Sequence, residues 1–257
     1  MSQHRNRFAF LLLAATLLAS LPAAPAAADQ VLTLLSHTDE MVIMGQKTPA
    51  KDVTQEYWFG DDATRFDDDE TSVVLRLDQK KLFLINHAEK TFSAIDLPFD
   101  FKSLLGPEMA PMMEQMMKMM APSITVTPTG KSGKYGGFAC KYYDVAINIS
   151  MMQMATTGCY SEELPVDYSR YRSLSEAQAE LAANAAWIKE LADKIKGFPV
   201  RTETTTTMMG KSFKSWQELK SVEERTPPAG FYAPPAGYSE VKFDPMAQGQ
   251  QQRGKRR

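Results

Sequence analysis

Short apolar runs follow one another closely along the first half of this chain, and no helix-length segment separates them. Val73, Leu75 and Leu77 recur at every second position, which is the period of a β-strand with one buried face. Turn-forming clusters at 60–62 and 67–69 separate neighbouring runs. Because such short connections join antiparallel neighbours, the sequence predicts a meander. Its strands are predicted at 31–44, 53–59, 73–77, 82–87 and 91–97.

The second half contains further β-type runs, which are interrupted by two helical patterns. These runs lie at 124–127, 138–148, 155–160, 200–208 and 213–223. A sheet of this size has an apolar face that must be buried, and helices can cover it.

The first helical pattern is rich in methionine and reads PEMAPMMEQMMKMM over residues 107–120. Prolines fit its first turn, and Pro122 ends it. At about 1.5 Å per residue the helix is roughly 21 Å long, too short to span a bilayer. Its methionines follow the spacing of one helical face, and they are Met109, Met112, Met113, Met116, Met117 and Met120.

The second helical pattern runs over 175–196 and carries a capping box at 175–178. Gly197 and Pro199 fit the residues that follow a helix C-terminus. The predicted fold class is therefore mainly β (α+β). We expect a curved antiparallel sheet, a half-barrel, covered by two helices at 107–120 and 175–196.

The N-terminus has the three parts of a secretory signal. Arg5 and Arg7 precede an apolar segment at 8–21, and alanines at 26–28 form a small-residue cleavage site. No cysteine lies near that site, so we expect a soluble periplasmic or secreted protein without a lipid anchor. The predicted organisation is a signal peptide at 1–28, a single β-rich domain at 29–243 and a disordered basic tail at 244–257.

The charge of the chain argues against nucleic acid as a partner. Loss of the signal removes two of the 29 basic residues, so 27 remain against 31 acidic residues. Four of these 27 lie in the tail, at 253 and 255–257, which leaves the folded body at a net charge of about −8.

Two cysteines, Cys140 and Cys159, lie on consecutive predicted strands, at similar distances from the connection between them. In an exported chain such a pair predicts a disulfide across a hairpin. Closing this loop would stabilise the fold by about 3 kcal/mol. A redox or cysteine-ligated metal site would favour a C-x-x-C spacing, which the chain lacks.

The sequence carries little sign of catalysis. The mature chain has two histidines, His37 and His87, and no G-x-S-x-G or H-E-x-x-H motif. Nothing in the pattern brings a serine, a histidine and an aspartate together. We therefore expect a protein that is not an enzyme and that needs no cofactor.

The methionines raise three functional hypotheses. Methionine is flexible and polarizable, so the 107–120 face would suit a hydrophobic small molecule, a lipid or an acyl chain. The same thioethers would suit Cu(I), although no histidine neighbours them in the sequence. The third hypothesis is an interaction module, in which the face docks a partner helix, a membrane protein or a lipoprotein. The first is preferred, with Met109, Met112, Met113, Met116, Met117 and Met120 as the candidate ligand-binding residues.

The order of several motifs resembles an exported bacterial family, the domain of unknown function 4412. The matching segments are YWFG at 57–60, TRF at 64–66, the hairpin at 82–95, the methionine-rich segment, GKYGGFACKYYDV at 133–145, GFPV at 197–200 and the ending at 231–238. That family has no established activity, so the resemblance implies no catalytic residues. Its strand-then-helix pattern is similar to the periplasmic lipoprotein-carrier fold. That similarity implies an unclosed half-barrel whose concave apolar face binds acyl chains under helices.

The signal-peptide hypothesis predicts the N-terminus of the exported protein. N-terminal sequencing of the protein recovered from the periplasm or the medium should begin at Asp29. A bulky residue at the cleavage site, as in Ala28→Phe, should block processing and leave the protein in the membrane fraction. An N-terminus still at Met1 in the unaltered exported protein would contradict the hypothesis.

Overall fold

The structure of the chain is a computed structural model that describes residues 28–43, 46–99, 111–112, 115, 121–149, 152–181 and 185–244. Two helices are described, α1 (Tyr168–Leu181) and α2 (Ala185–Lys194). The described strands of the first half are β1 (Asp29–Thr38), β2 (Met41–Ile43), β3 (Gln46–Thr48), β4 (Lys51–Phe59), β5 (Ala63–Asp67), β6 (Thr71–Arg76), β7 (Lys81–Asn86) and β8 (Thr91–Asp96). Those of the second half are β9 (Ser123–Tyr135), β10 (Phe138–Ile149), β11 (Met152–Ser161), β12 (Phe198–Met208), β13 (Lys211–Arg225) and β14 (Ser239–Glu240).

Twelve of these strands form one sheet in the order β14-β8-β7-β6-β5-β4-β1-β13-β12-β11-β10-β9. Every pairing in it is antiparallel except that of β14 with β8. The two ends of the sheet do not meet, so the prediction of a mainly β, unclosed antiparallel sheet is confirmed. Strand β1 lies in the middle and joins the β4–β8 meander to the β9–β13 meander.

Register shifts bend the sheet along one line. They fall at Thr33/Leu34 opposite β13, at Lys141/Tyr143 opposite β9 and at Cys159/Tyr160 opposite β12. An extra residue in one strand kinks it and increases its twist. The bending brings the β9–β10 turn back toward β13, so that a Cβ added at Gly136 would lie 3.0 Å from the Leu219 side chain.

Both helices cover the same face of the sheet. Leu75, Leu82 and Ile95 face one another across three strands, and α1 packs Leu174 and Leu181 against them. Helix α2 supplies Leu191 to a second cluster, whose buried members are Val145, Ile147 and Ile195. None of the helices in the described part of the chain has the length and apolar character that crossing a bilayer requires.

The predicted helix at 175–196 is wrong in its start and its continuity. Helix α1 begins seven residues earlier, at Tyr168. The Arg172 side chain of α1 also donates to Asp193 of α2 at 2.8 Å, whereas one unbroken helix would hold these residues about 30 Å apart. The N-cap is Asp167, whose carboxylate accepts the backbone N–H of Ser169 at 2.9 Å. The expected capping serine, Ser175, lies inside α1, where it cannot cap a helix start.

Strand β9 is also longer than its prediction. The sequence indicates a strand at 124–127, whereas β9 continues to Tyr135. Gly130 has a φ of 74°, and the β9–β10 register shifts beside it. The glycine-containing stretch therefore forms a bulge within the strand rather than its end.

The C-terminal segment, residues 226–240, covers the other face of the β5–β8 strands. Tyr232 and Tyr238 pack against the buried cluster of Val74, Phe83 and Ile85. The Tyr232 hydroxyl also donates to Asp29 at 2.5 Å, at the start of β1. The two ends of the described chain are thus linked to each other.

The disulfide prediction is confirmed. Cys140 and Cys159 are bonded across the β10–β11 hairpin, with a Cα–Cα distance of 5.4 Å and a sequence separation of 19 residues. In the ladder Cys159 lies directly opposite Tyr142. The disulfide therefore joins Cys159 to the residue two positions before its direct partner, so that it crosses the two strands diagonally. Both cysteines are buried in the cluster that contains Leu34, Phe198 and Leu219.

Removing this disulfide should lower the free energy of unfolding without changing the topology. For the variant Cys140→Ala/Cys159→Ala we expect a loss of about 3 kcal/mol, since the unfolded chain regains loop entropy. Denaturant unfolding monitored by circular dichroism measures it. Dithiothreitol should reproduce the loss in the unaltered protein and have no effect on the variant. A loss below about 1 kcal/mol would contradict the expectation.

Candidate functional site

The structure describes only part of the predicted methionine face. Pro111, Met112 and Gln115 are helical, and the Met112 side chain is 62% exposed. The other candidate residues, Met109, Met113, Met116, Met117 and Met120, lie outside the described residues. The described chain enters this segment at Phe99, which packs in the α1 cluster, and leaves it at β9. The segment therefore connects the helix-covered face to an edge strand of the sheet.

An apolar band lies on the helix-covered face at the end of β9–β12. We define it as Ile124, Ile149, Met152, Met154 and Met208. Ile149, Met152 and Met208 stand side by side across three strands. Ile124 and Met154 flank the buried Ile147 in the next row. All five are only partly buried, so this face offers apolar surface beyond that packed under α2.

Hydroxyl and amide groups border the apolar band toward the middle of the sheet. In the next row Thr156 and Thr204 are adjacent, and their hydroxyls are hydrogen-bonded at 2.8 Å. Further along, the Gln217 side-chain amide donates to the Gln55 carbonyl across β1. The same face is therefore apolar at one end and polar at its centre.

A group of tyrosines lies where α1 packs on the sheet. The rings of Tyr57 and Tyr171 meet edge to face, with 5.8 Å between centroids. Burial raises the pKa of Tyr171 to about 12 and that of Tyr57 further above its ordinary value. Burial likewise raises the pKa of Tyr160. These phenols stay protonated at neutral pH, so they offer hydroxyl groups and not charges.

The fold also brings together a serine, a histidine and an aspartate that sequence analysis did not connect. Ser72 Oγ lies 2.7 Å from His87 Nε2, and it also hydrogen-bonds to the carboxylate of Asp67. The Arg65 guanidinium donates to Ser72 Oγ at 2.8 Å. His87 Nδ1 meets the Tyr238 hydroxyl at 3.0 Å.

This network holds the C-terminal segment in place. Ser72 has no exposed surface, and the aspartate binds the serine rather than the histidine, unlike a hydrolase triad. If the serine hydroxyl donates to the carboxylate, His87 donates from Nε2 to the serine and accepts a hydrogen bond from the Tyr238 hydroxyl at Nδ1. Each side chain of the network then has a hydrogen-bond partner. The sequence carries one signal of this arrangement. Ser72 pairs with Ile85, and His87 lies two residues after Ile85, so the alternation of side chains places Ser72 and His87 on the same face of the sheet.

The other histidine stands on the opposite face from the apolar band. His37 stacks on Trp216 at 5.7 Å, and its ring nitrogens meet Asp52 at 2.7 Å and Asp39 at 3.2 Å. The bond to Asp52 raises the pKa of His37, with a smaller contribution from Asp39. Among the residues that the structure describes, no group of three or more His, Cys, Asp or Glu side chains is placed to hold a metal ion.

Replacing Asp52 should lower the pKa of His37, because Asp52→Asn removes the main acceptor of the imidazolium proton. Because the folded pKa is raised, the pair stabilises the protein below about pH 6.5 and this stabilisation is lost as the pH rises through the folded pKa. NMR titration of the His37 ring measures the change. The control Asp78→Asn removes an equal charge beside Arg76 and should leave the His37 pKa unchanged. An unaltered pKa in Asp52→Asn would refute the assignment.

The solved structures that resemble this chain include one titled "Structure of PNGF-II in C2 space group". Its TM-score is 0.40 at 10% sequence identity, and the match covers 87% of this chain and 32% of that chain. This chain thus spans about a third of that β-rich structure, and at this similarity nothing about activity is carried across. No curated protein matches the sequence.

A family model matches most of the chain. Its description is "Domain of unknown function (DUF4412)", and the match runs over residues 39–238. It includes every described strand from β4 to β13, both described helices and the tyrosines of the C-terminal segment. The resemblance inferred from motif order is therefore confirmed, and the chain belongs to the DUF4412 family.

Proposed function

We propose that this protein binds an amphipathic lipid or acyl chain on the helix-covered face of its sheet, in the periplasm, and that it makes or breaks no bond. The observation that carries the proposal is the apolar band, where three methionines and two isoleucines stand in register and only partly buried. Large apolar side chains left accessible in a row typically mark a binding surface.

The border of the band favours an amphipathic ligand over a purely apolar one. An acyl chain would lie on Met152, Met154 and Met208, where burial contributes about 25 cal/mol per Å². A polar end group would reach the hydroxyls of Thr156 and Thr204 at the adjacent row. Unbranched methionine side chains would adjust their rotamers to chains of different shape.

The methionine-rich segment at 107–120 would complete the site. Before the segment, Phe99 packs in the α1 cluster, and after it the chain enters β9, which contributes Ile124 to the band. A face of six methionines meeting a band that itself contains three would give an apolar site formed largely by soft side chains. In this proposal the half-barrel is covered by that segment together with α1 and α2.

The histidine environments favour a lipid over Cu(I). His37 is held by Asp52 and Asp39, and His87 by Ser72 and Tyr238. Neither belongs to the apolar band, so a copper site there would depend on thioethers alone. Thioether ligation would still suit Cu(I), so a copper adduct remains a distinct outcome of the test.

Native mass spectrometry of the mature protein, purified from a periplasm without detergent, tests the proposal. We expect an adduct of lipid mass that organic extraction releases. Met154→Gln/Met208→Gln should abolish it, because the substitutions place amides in the band. We expect the same loss of the lipid adduct in the segment variant Met112→Gln/Met113→Gln/Met116→Gln/Met117→Gln. Met41→Gln, on the separate β2–β3 hairpin, is the matched control and should retain the adduct.

Circular dichroism and an intact disulfide establish that each variant is folded. Unchanged lipid retention in both band and segment variants would refute the proposal. An unaltered protein that carries no lipid, or that carries copper instead, would also refute it.

A further inference from the structure

The β9–β13 strands carry a second concavity, on the face opposite the apolar band. It is an open depression with a volume of about 590 Å³, within the range of about 300–1,000 Å³ typical of small-molecule sites. Side chains alternate along a strand, so Asp144 and Ala146 face it while Val145 and Ile147 face α2. We call this concavity the polar groove.

The groove is formed by two rows of side chains that cross five strands in register. One row is Thr125, Ala146, Ala155, Thr205 and Lys214. With strands about 4.8 Å apart, a row of five spans about 19 Å, and two rows give a width of about 7 Å. The two adjacent alanines form a shallow floor at the centre. The shape suits an extended chain of several small rings rather than one compact molecule.

The second row is Thr127, Asp144, Thr157, Glu203 and Trp216. The lining of the groove includes two carboxylates, Asp144 and Glu203, and two cations, Arg201 and Lys214, so the lining residues together carry no net charge. Four threonine hydroxyls add groups that both donate and accept. A neutral ligand rich in hydroxyl groups matches this alternation of donors and acceptors better than an ion or an apolar molecule does.

Contacts within the protein hold the side chains of Arg201 and Trp216, which form one wall of the groove. Arg201 bonds Glu218 and Glu203 at 2.8 and 2.7 Å, and its guanidinium lies 4.8 Å from the Trp216 ring centroid. His37 also stacks on that ring, with 5.7 Å between the ring centroids. Lys214 has no ion-pair partner within the described chain, so its ammonium is available to ligand oxygens. A preformed wall reduces the entropy lost on binding.

From this geometry we infer that the polar groove is a binding site for a neutral oligosaccharide, separate from the apolar band. The ligand lies across β9–β13 over Ala146 and Ala155. Its hydroxyl groups exchange hydrogen bonds with the threonines, Asp144 and Lys214. Faces of β-sheets lined by polar side chains recognise oligosaccharides in other all-β proteins.

NMR titration of the ¹⁵N-labelled mature protein with cellotetraose, maltotetraose and chitotetraose tests the inference. At least one should shift the backbone amides of the groove rows saturably, with half-saturation below about 1 mM. Ala155→Leu fills the floor and should raise the half-saturation concentration at least about tenfold. The matched control is Ala139→Leu. Ala139 is also an exposed alanine, but it lies in β10 outside the groove, so this variant should bind the oligosaccharide as the unaltered protein does.

A second variant tests the polar contacts rather than the shape. Asp144→Asn/Thr157→Val removes a carboxylate and a hydroxyl that are bonded at 2.7 Å and should also weaken binding. The inference is overturned if none of the three tetrasaccharides produces saturable shifts. It is likewise overturned if Ala155→Leu and Ala139→Leu bind equally well, or if the shifts fall on the apolar band.

Discussion

The pairing of the first strand with two distant partners is the constraint on which the rest of the structure depends. β1 hydrogen-bonds β4 on one side and β13 on the other, and among the described strands it alone joins the two meanders into one sheet. Val31, Leu32 and Leu34 have no exposed surface, so this junction is also the centre of the core. Gln30 and Glu224, which meet across it, are 194 residues apart. The sheet cannot be completed before nearly the whole chain is present, a topology that favours slow folding.

The bends of this sheet give its two faces different roles. On the helix-covered face, α1 and α2 bury two apolar clusters but leave the apolar band only partly buried. On the other face, the C-terminal segment closes the β5–β8 half, whereas the β9–β13 half keeps the polar groove. The same strands β9–β12 therefore carry both proposed sites back to back. Period-two alternation makes this possible, because each residue of these strands serves one face only.

Local signals in the sequence predicted local structure well. Alternation around Val73 and the spacing of Cys140 and Cys159 depend only on neighbouring strands, and both predictions are confirmed. The start of α1 was missed because Asp167 and Ser175 both resemble caps, and packing of Leu174 against the sheet decides between them. The Ser72–His87–Tyr238 network and the polar groove depend on register across several strands, which the period of a single strand does not specify. The methionine face at 107–120 stays a prediction.

Native-state hydrogen exchange tests the central role of β1 most directly. If β1 holds both meanders in one cooperative unit, its amides exchange only through global unfolding. Amides of β6 and β11, one in each meander, should then show the same free energy of exchange as those of Val31 to Leu35. Two different free energies, with β11 protected after β6 has exchanged or the reverse, would show two independent units. That result would contradict the account of a single sheet joined by its first strand.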